Sequence, residues 1–241
     1  MAGLYRTGKS YLINRLLGRQ SGFDVGPTTN SCTKGLWIWS EPLLLEEKNM
    51  SVILMDTEGL GSAFEDRNES IDMEIFCLSM LLSSYFIYNS MKNIDETAIE
   101  NLALVINFAK KVQGKFKEVE SYVNNFPSFL WVIRDFALDL VDTNGKNITP
   151  STYLENALTV FEGDSEHNRR KNEIRNLLKM FFRDRDCATL PRPVSDEKKL
   201  RYIDKISEKE IRPEFMRTMN ELVQKVRITL IQRCFLIVSL R

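Results

Sequence analysis

The chain has 241 residues, 43% hydrophobic and 27% charged, and its 33 Lys+Arg balance its 33 Asp+Glu to a net charge of zero. That composition is ordinary for a folded globular protein and excludes disorder as a description of the whole chain, while the length suits one large domain. The charge balance leaves no global basic field for nucleic acid or an anionic membrane, so nucleic acid is not expected as a partner and membrane association is not encoded.

Lys9–Leu17 reads as a helix, with Leu12, Ile13, Leu16 and Leu17 on one face. Gly18–Lys34 is rich in Gly, Ser, Thr, Asn and Pro and reads as a long loop. Leu36–Trp39 and Ser51–Met55 read as strands, followed by a polar loop from Thr57 to Asp66. Asp72–Leu82 reads as a helix, Tyr85–Tyr88 as a buried strand and Asp95–Val112 as a helix with Ile99, Leu102, Ala103 and Ile106 in period. Phe129–Ile133 is another apolar run of strand length, and Asp142–Lys146 is a turn. Thr149-Pro150 matches an N-cap with proline at the first helical position. Asn172–Phe182 reads as a helix, Cys187–Leu190 as a short strand before Pro191 and Pro193, and the chain from Asp196 as mostly helical. Strands separated by helices imply an α/β fold, a doubly wound and mostly parallel sheet with helices on both faces.

The residue types exclude several chemistries. His167 is the single histidine, which rules out HExxH zinc sites, and it sits in the charged stretch 164–171 where a solvated helix face is the simpler reading than a Ser-His-Asp triad. Cys32, Cys77, Cys187 and Cys234 are widely spaced with no CxxC pair, the pattern of reduced thiols in a cytoplasmic protein. No apolar signal-peptide core is visible near the start. The uncharged run Ile75–Met91 contains Ser79, Ser83, Ser84, Asn89 and Ser90, short of the roughly 20 apolar residues a membrane span needs.

The decisive motif is Gly3-Leu4-Tyr5-Arg6-Thr7-Gly8-Lys9-Ser10, which fits the phosphate-binding loop G-x-x-x-x-G-K-S/T. Its glycines let backbone N–H groups turn inward around a polyphosphate, Lys9 reaches the β and γ phosphates, and Ser10 offers a hydroxyl to Mg²⁺. The helix that opens here aims its positive end at the anion. Gly3, Tyr5, Arg6, Thr7, Gly8, Lys9, Ser10 and Tyr11 are therefore the candidate nucleotide cradle. Asp56-Thr57-Glu58-Gly59 follows an apolar run, which places Asp56 where a water-mediated Mg²⁺ ligand belongs and lets Gly59 offer its N–H to the γ-phosphate. Among the hydroxyls of Thr28–Lys34, Thr33 is the expected Mg²⁺ ligand because it stands just before the strand that anchors the loop. The usual guanine motif NKxD is absent. Arg134-Asp135 follows a strand instead, and one carboxylate can accept both N1–H and N2–H₂ of guanine.

The segments GLYRTGKSYLINRLLG, TKGLWIW, DTEGLG, LLSSYFIYNS, WVIRDFALDL and FFRDRDCATLPRP resemble the G domain of guanylate-binding proteins, dynamin-like large GTPases related to the atlastins. The segment around Glu210–Phe215 is more similar to plant and protist members. The resemblance runs from Gly3 to about Val226 and implies a P-loop GTPase G domain over residues 1–226, with GTP as substrate and Mg²⁺ as cofactor. It implies hydrolysis to GDP and phosphate and a GTP-dependent head-to-head homodimer. It also implies that Arg6 is an internal arginine finger, that Ser31 helps position the attacking water, that Thr33 binds Mg²⁺, that Glu58 joins the water network, and that Arg134 and Asp135 replace NKxD. Some features depart from the pattern. Only Met1-Ala2 precede Gly3, so the first strand is expected to be missing and the domain N-terminally truncated. Residues 227–241 read as a divergent apolar tail, with Cys234–Leu240 a strand or an abnormal terminus, and Cys32 stands where many relatives carry histidine. The rival expectation is a non-hydrolysing GTP-dependent interaction module or an inactive fragment.

Overall fold

In the computed structural model, residues 1–28, 32–46, 49–60, 69–113 and 126–239 are described. The fold is built around a strand buried along its whole length, β7 (Ser128–Arg134), between parallel neighbours β6 (Tyr85–Met91) and β8 (Arg185–Leu190). Parallel strands covered on both faces read as continuous apolar runs, which is how Phe129–Ile133 stood out in the sequence. Alternation along β7 assigns the two faces: Phe129, Trp131 and Ile133 join one core cluster, Leu130 and Val132 the other. The first cluster packs beneath α2 (Glu69–Leu82), α3 (Glu96–Gln113), α4 (Pro150–Ala157) and α5 (Glu166–Phe181). The second packs beneath α1 (Lys9–Leu16) and α7 (Pro213–Ser239). A short α6 (Glu197–Arg201) and a 3₁₀ turn at Glu208–Glu210 lead into α7. The doubly wound parallel sheet is thus as expected. Among the described residues no helix is long and apolar enough to cross a membrane.

The expectation of a missing first strand is corrected. Ala2–Gly3 forms β1, two buried residues paired in parallel with Tyr88 and Asn89 of β6. On its other side, β5 (Met55–Thr57) leads to a parallel bridge between Leu4 and Leu60, closed by Tyr5 N–H to the Leu60 carbonyl at 2.9 Å and Leu60 N–H to the Gly3 carbonyl at 3.1 Å. The fit is tight: a Cβ at Gly3, whose φ is +152°, would collide with the Asn89 carbonyl oxygen. Gly3→Ala should therefore cost about 1–3 kcal/mol, the usual penalty for overpacking. A thermal melt of the variant at parental stability would show that β1 can shift away from β6.

The apolar run Ser51–Met55, read as one strand, is two. β4 (Met50–Val52) pairs antiparallel with β3 (Leu43–Leu45), while β5 pairs antiparallel with β2 (Leu36–Ile38). The chain changes partner at Ile53-Leu54, where Trp39 N–H reaches the Leu54 carbonyl at 2.9 Å. An apolar run reports burial and carries no label for its partner. α5 begins at Glu166, earlier than Asn172, because Ser165 caps it by accepting from Asn168 N–H at 3.1 Å; the polar first turn hides the helical period. Thr149 caps α4 as its sequence suggests, accepting from Thr152 N–H at 3.1 Å. Of the two readings of Cys234–Leu240, the strand is corrected as far as Ser239: α7 continues helically to that residue.

Candidate functional site

The segment Gly3–Ser10 is a turn held from several directions. Thr7 Oγ1 and Lys9 Nζ both donate to the Leu4 carbonyl, at 2.8 and 3.0 Å, and Asn89 Nδ2 donates to the Thr7 carbonyl at 3.0 Å. Gly8 sits at φ +76°, the left-handed conformation that lets the chain reverse into α1 with its carbonyl already accepting from Leu12 N–H. Arg6 is exposed on the loop, also left-handed at φ +60°, with its guanidinium 6.0 Å from the Tyr5 ring centroid. Tyr11 lies buried under the start of α1.

Burial pulls the Lys9 ammonium down to about 8, with the nearby Asp56 and Glu58 carboxylates pulling it back up. A buried cation in that balance favours an added anion beside it. Gly59 lies directly against the loop: a Cβ there would collide with the Tyr5 backbone and stand 2.9 Å from Lys9 Nζ. The glycine is what lets the turn after β5 approach.

Three oxygens converge where α1 opens. Ser10 Oγ donates to Asp56 Oδ2 at 2.6 Å, Thr33 Oγ1 donates to the same oxygen at 3.2 Å, and the two hydroxyls are 3.2 Å apart. Asp56 is fully buried, its other oxygen accepting from Thr57 N–H at 3.1 Å. The residues picked as Mg²⁺ ligands thus meet in space. Two hydroxyls and one carboxylate fit Mg²⁺, a hard cation that takes few protein oxygens and keeps water and phosphate for the rest.

Glu58 ties two loops together. Its carboxylate accepts from Gly35 N–H at 2.7 Å, and its own N–H donates to the Gly35 carbonyl at 2.8 Å. The side chain expected in a water network therefore also clamps the segment just after Thr33. Ser31 lies outside the described residues.

A cleft of about 320 Å³ runs from this cluster to the end of β7. Asp135 lies at its far end, in the left-handed conformation at φ +53°, with Arg192 Nε 4.0 Å from its carboxylate. Arg134 lines the same cleft but is 5% exposed, and it donates from its terminal nitrogen to the Gly8 carbonyl at 3.3 Å. The two residues of the Arg-Asp pair thus hold different partners, Arg134 the Gly8 carbonyl and Asp135 the Arg192 guanidinium, while the Asp135 carboxylate also favours the Arg134 charge. Asp24, Gly26, Pro193, Leu200 and Ile203 also line the cleft, none of them singled out from the sequence. Pro193 follows the carboxyl end of β8, the sheet edge where ligands bind, so its position was the available signal.

A family model described as guanylate-binding protein, N-terminal domain, matches residues 1–229. Guanylate-binding protein 6 of Mus musculus is 40% identical over 233 residues, covering 94% of this chain and 38% of that protein. Guanylate-binding protein 3 of Mus musculus is 41% identical over 222 residues, covering 89% of this chain and 35% of that protein. Guanylate-binding protein 4 of Homo sapiens is 40% identical over 223 residues, covering 90% and 34%. The chain thus spans under two fifths of the length of these curated relatives. With a loop, three converging side-chain oxygens and a cleft arranged on this sheet, and a match over nearly all its length, the chain belongs to the guanylate-binding protein family.

Proposed function

We propose that this domain binds GTP with Mg²⁺ and hydrolyses it to GDP and phosphate, that it works in the cytoplasm, and that GTP brings two copies together head to head. The observation that carries the reading is the meeting of Ser10, Thr33 and Asp56 beside Lys9, at one end of a cleft whose other end holds Asp135. The loop N–H groups and the start of α1 receive the phosphates, and Lys9 supplies a charge already placed. Ser10 and Thr33 would hold Mg²⁺, with Asp56 reaching it through water; the ion supplies charge neutralisation on the phosphates. Arg6, exposed on the loop, would meet the transferring phosphate. Ser31 and Glu58 serve the attacking water, with Glu58 holding Gly35 and hence the loop that carries Thr33. Attack at the γ-phosphorus breaks its bond to the bridging oxygen of GDP, and catalysis of this kind is mostly positioning and electrostatics.

Asp135 supplies guanine selectivity in this reading. Asp135→Asn should weaken GTP about ten- to a hundredfold, the value of charge-assisted hydrogen bonds, and should admit xanthosine triphosphate, which offers an acceptor where guanine has a donor. Titration of both nucleotides checks this, and unchanged GTP affinity would reject the role. Phosphate release by the parent chain separates a GTPase from a module that only binds.

A further inference from the structure

We infer that Arg134 is a positioning residue: it holds the phosphate loop through the Gly8 carbonyl and is itself held by Phe215 of α7, while base selection falls to Asp135. This rests on the reading that the cleft takes GTP.

The geometry separates the two residues. Lys92 N–H fixes the Arg134 carbonyl at 2.7 Å, at the end of β7. From there the guanidinium runs towards α1 and donates to the Gly8 carbonyl, the same oxygen that accepts from Leu12 N–H at 3.0 Å to close the first helical turn. A Cβ on Gly8 would lie 3.4 Å from that guanidinium, so the two groups are in close packing. The guanidinium carbon is 5.9 Å from the Tyr11 ring centroid and 5.8 Å from that of Phe215, which is fully buried. Two aromatic faces favour a cation taken out of water. Tyr11 is braced in turn by Arg15, whose Nε donates to its hydroxyl at 3.2 Å. Elements far apart in sequence therefore meet at one guanidinium: the end of β7, the start of α1 and the first turns of α7.

The arrangement argues against a direct reading of the base by Arg134. Its identified donor goes to a backbone carbonyl, and its Nε is buried without a hydrogen-bond partner among the described residues. Burial works against the charged guanidinium and the neighbouring Asp135 carboxylate favours it, and an anion bound across Gly8 would favour it further. Asp135 faces Arg192 and the far end of the cleft instead. A strut of this kind acts on any ligand that needs the loop, whatever base it carries.

The test measures affinity for GTP, for ITP, which lacks the guanine 2-amino group, and for inorganic tripolyphosphate, which has no base. Displacement of a fluorescent GTP analogue reads all three. Arg134→Lys and Arg134→Met should weaken all three together, by about ten- to a hundredfold, with the GTP-to-ITP ratio kept. Phe215→Leu, which leaves the guanidinium in place and removes one ring, should shift all three in the same direction by less. Asp135→Asn should do the opposite, weakening GTP while leaving tripolyphosphate bound. Loss of GTP affinity with tripolyphosphate unchanged, collapse of the GTP-to-ITP ratio in the Arg134 variants, or no change in any ligand would overturn the inference. Thermal melts accompany each variant, and Arg134→Lys and Phe215→Leu keep the test decisive if Arg134→Met does not fold. A parent chain that binds neither GTP nor tripolyphosphate is a separate outcome, and it removes the GTP reading and this inference with it.

Discussion

Replacing Arg6 with alanine is expected to leave GTP affinity within a few-fold of the parent and to lower turnover by about 10³ to 10⁵, the worth of an arginine delivered to a phosphoryl transition state. The contrast comes from where the loop cations sit. Lys9 is buried behind the loop and bonded to the Leu4 carbonyl, so its charge is part of the ground-state site. Arg6 is exposed on the loop, its guanidinium beside Tyr5. Arg6→Lys keeps the charge but loses the planar donor set, and should recover little of the rate. Single-turnover phosphate release beside nucleotide titration separates the two effects. Parental turnover in Arg6→Ala would remove Arg6 from the transition state.

The second large effect is on stability. Trp131→Ala should cost about 3–5 kcal/mol, the range for truncating a buried aromatic, against a total of about 5–15 kcal/mol for a domain. Trp131 is in the middle of the most buried strand, with its ring edge-on to Tyr88 at 5.2 Å and 80° and to Phe129 at 6.0 Å and 90°. Its indole N–H donates to Ser90 Oγ at 2.8 Å inside the sheet. Alanine leaves both a cavity and an unsatisfied hydroxyl. Trp131→Phe keeps most of the volume and loses the hydrogen bond, so its cost should stay near 1–3 kcal/mol, about that of one unsatisfied buried group. Urea unfolding of both variants checks the pair. Equal losses would mean that the hydrogen bond, and not the packing, carries this position.

Much of the fold was legible because its signals are local. β7 and β6 announced themselves as apolar runs, since strands covered on both faces need no polar side. Thr149-Pro150 marked a helix start because capping needs only one side chain and the N–H groups next to it. The start of α5 was missed at Ser165 because its first turn is polar, and polarity without period looks like a loop. The division of Ser51–Met55 between β4 and β5 was missed for another reason: both halves are apolar, and only their partners, β3 and β2, differ.

The sequence by itself determined the phosphate loop and the residue types around it. That motif works through eight consecutive residues, and its glycines and lysine act through their own backbone and reach. Only the tertiary structure decided what those residues meet. Ser10 lies 23 residues from Thr33 and 46 from Asp56, and it is the sheet that brings the three oxygens together. The same holds for Ala2–Gly3, too short to read as a strand and yet held in register by β6 and by the bridge to Leu60. It holds also for Arg134, adjacent to Asp135 in the chain but turned towards Gly8 and Phe215. A residue's type is written at its position, whereas its direction and partners are set by neighbours through space, and those exist only once the sheet has formed.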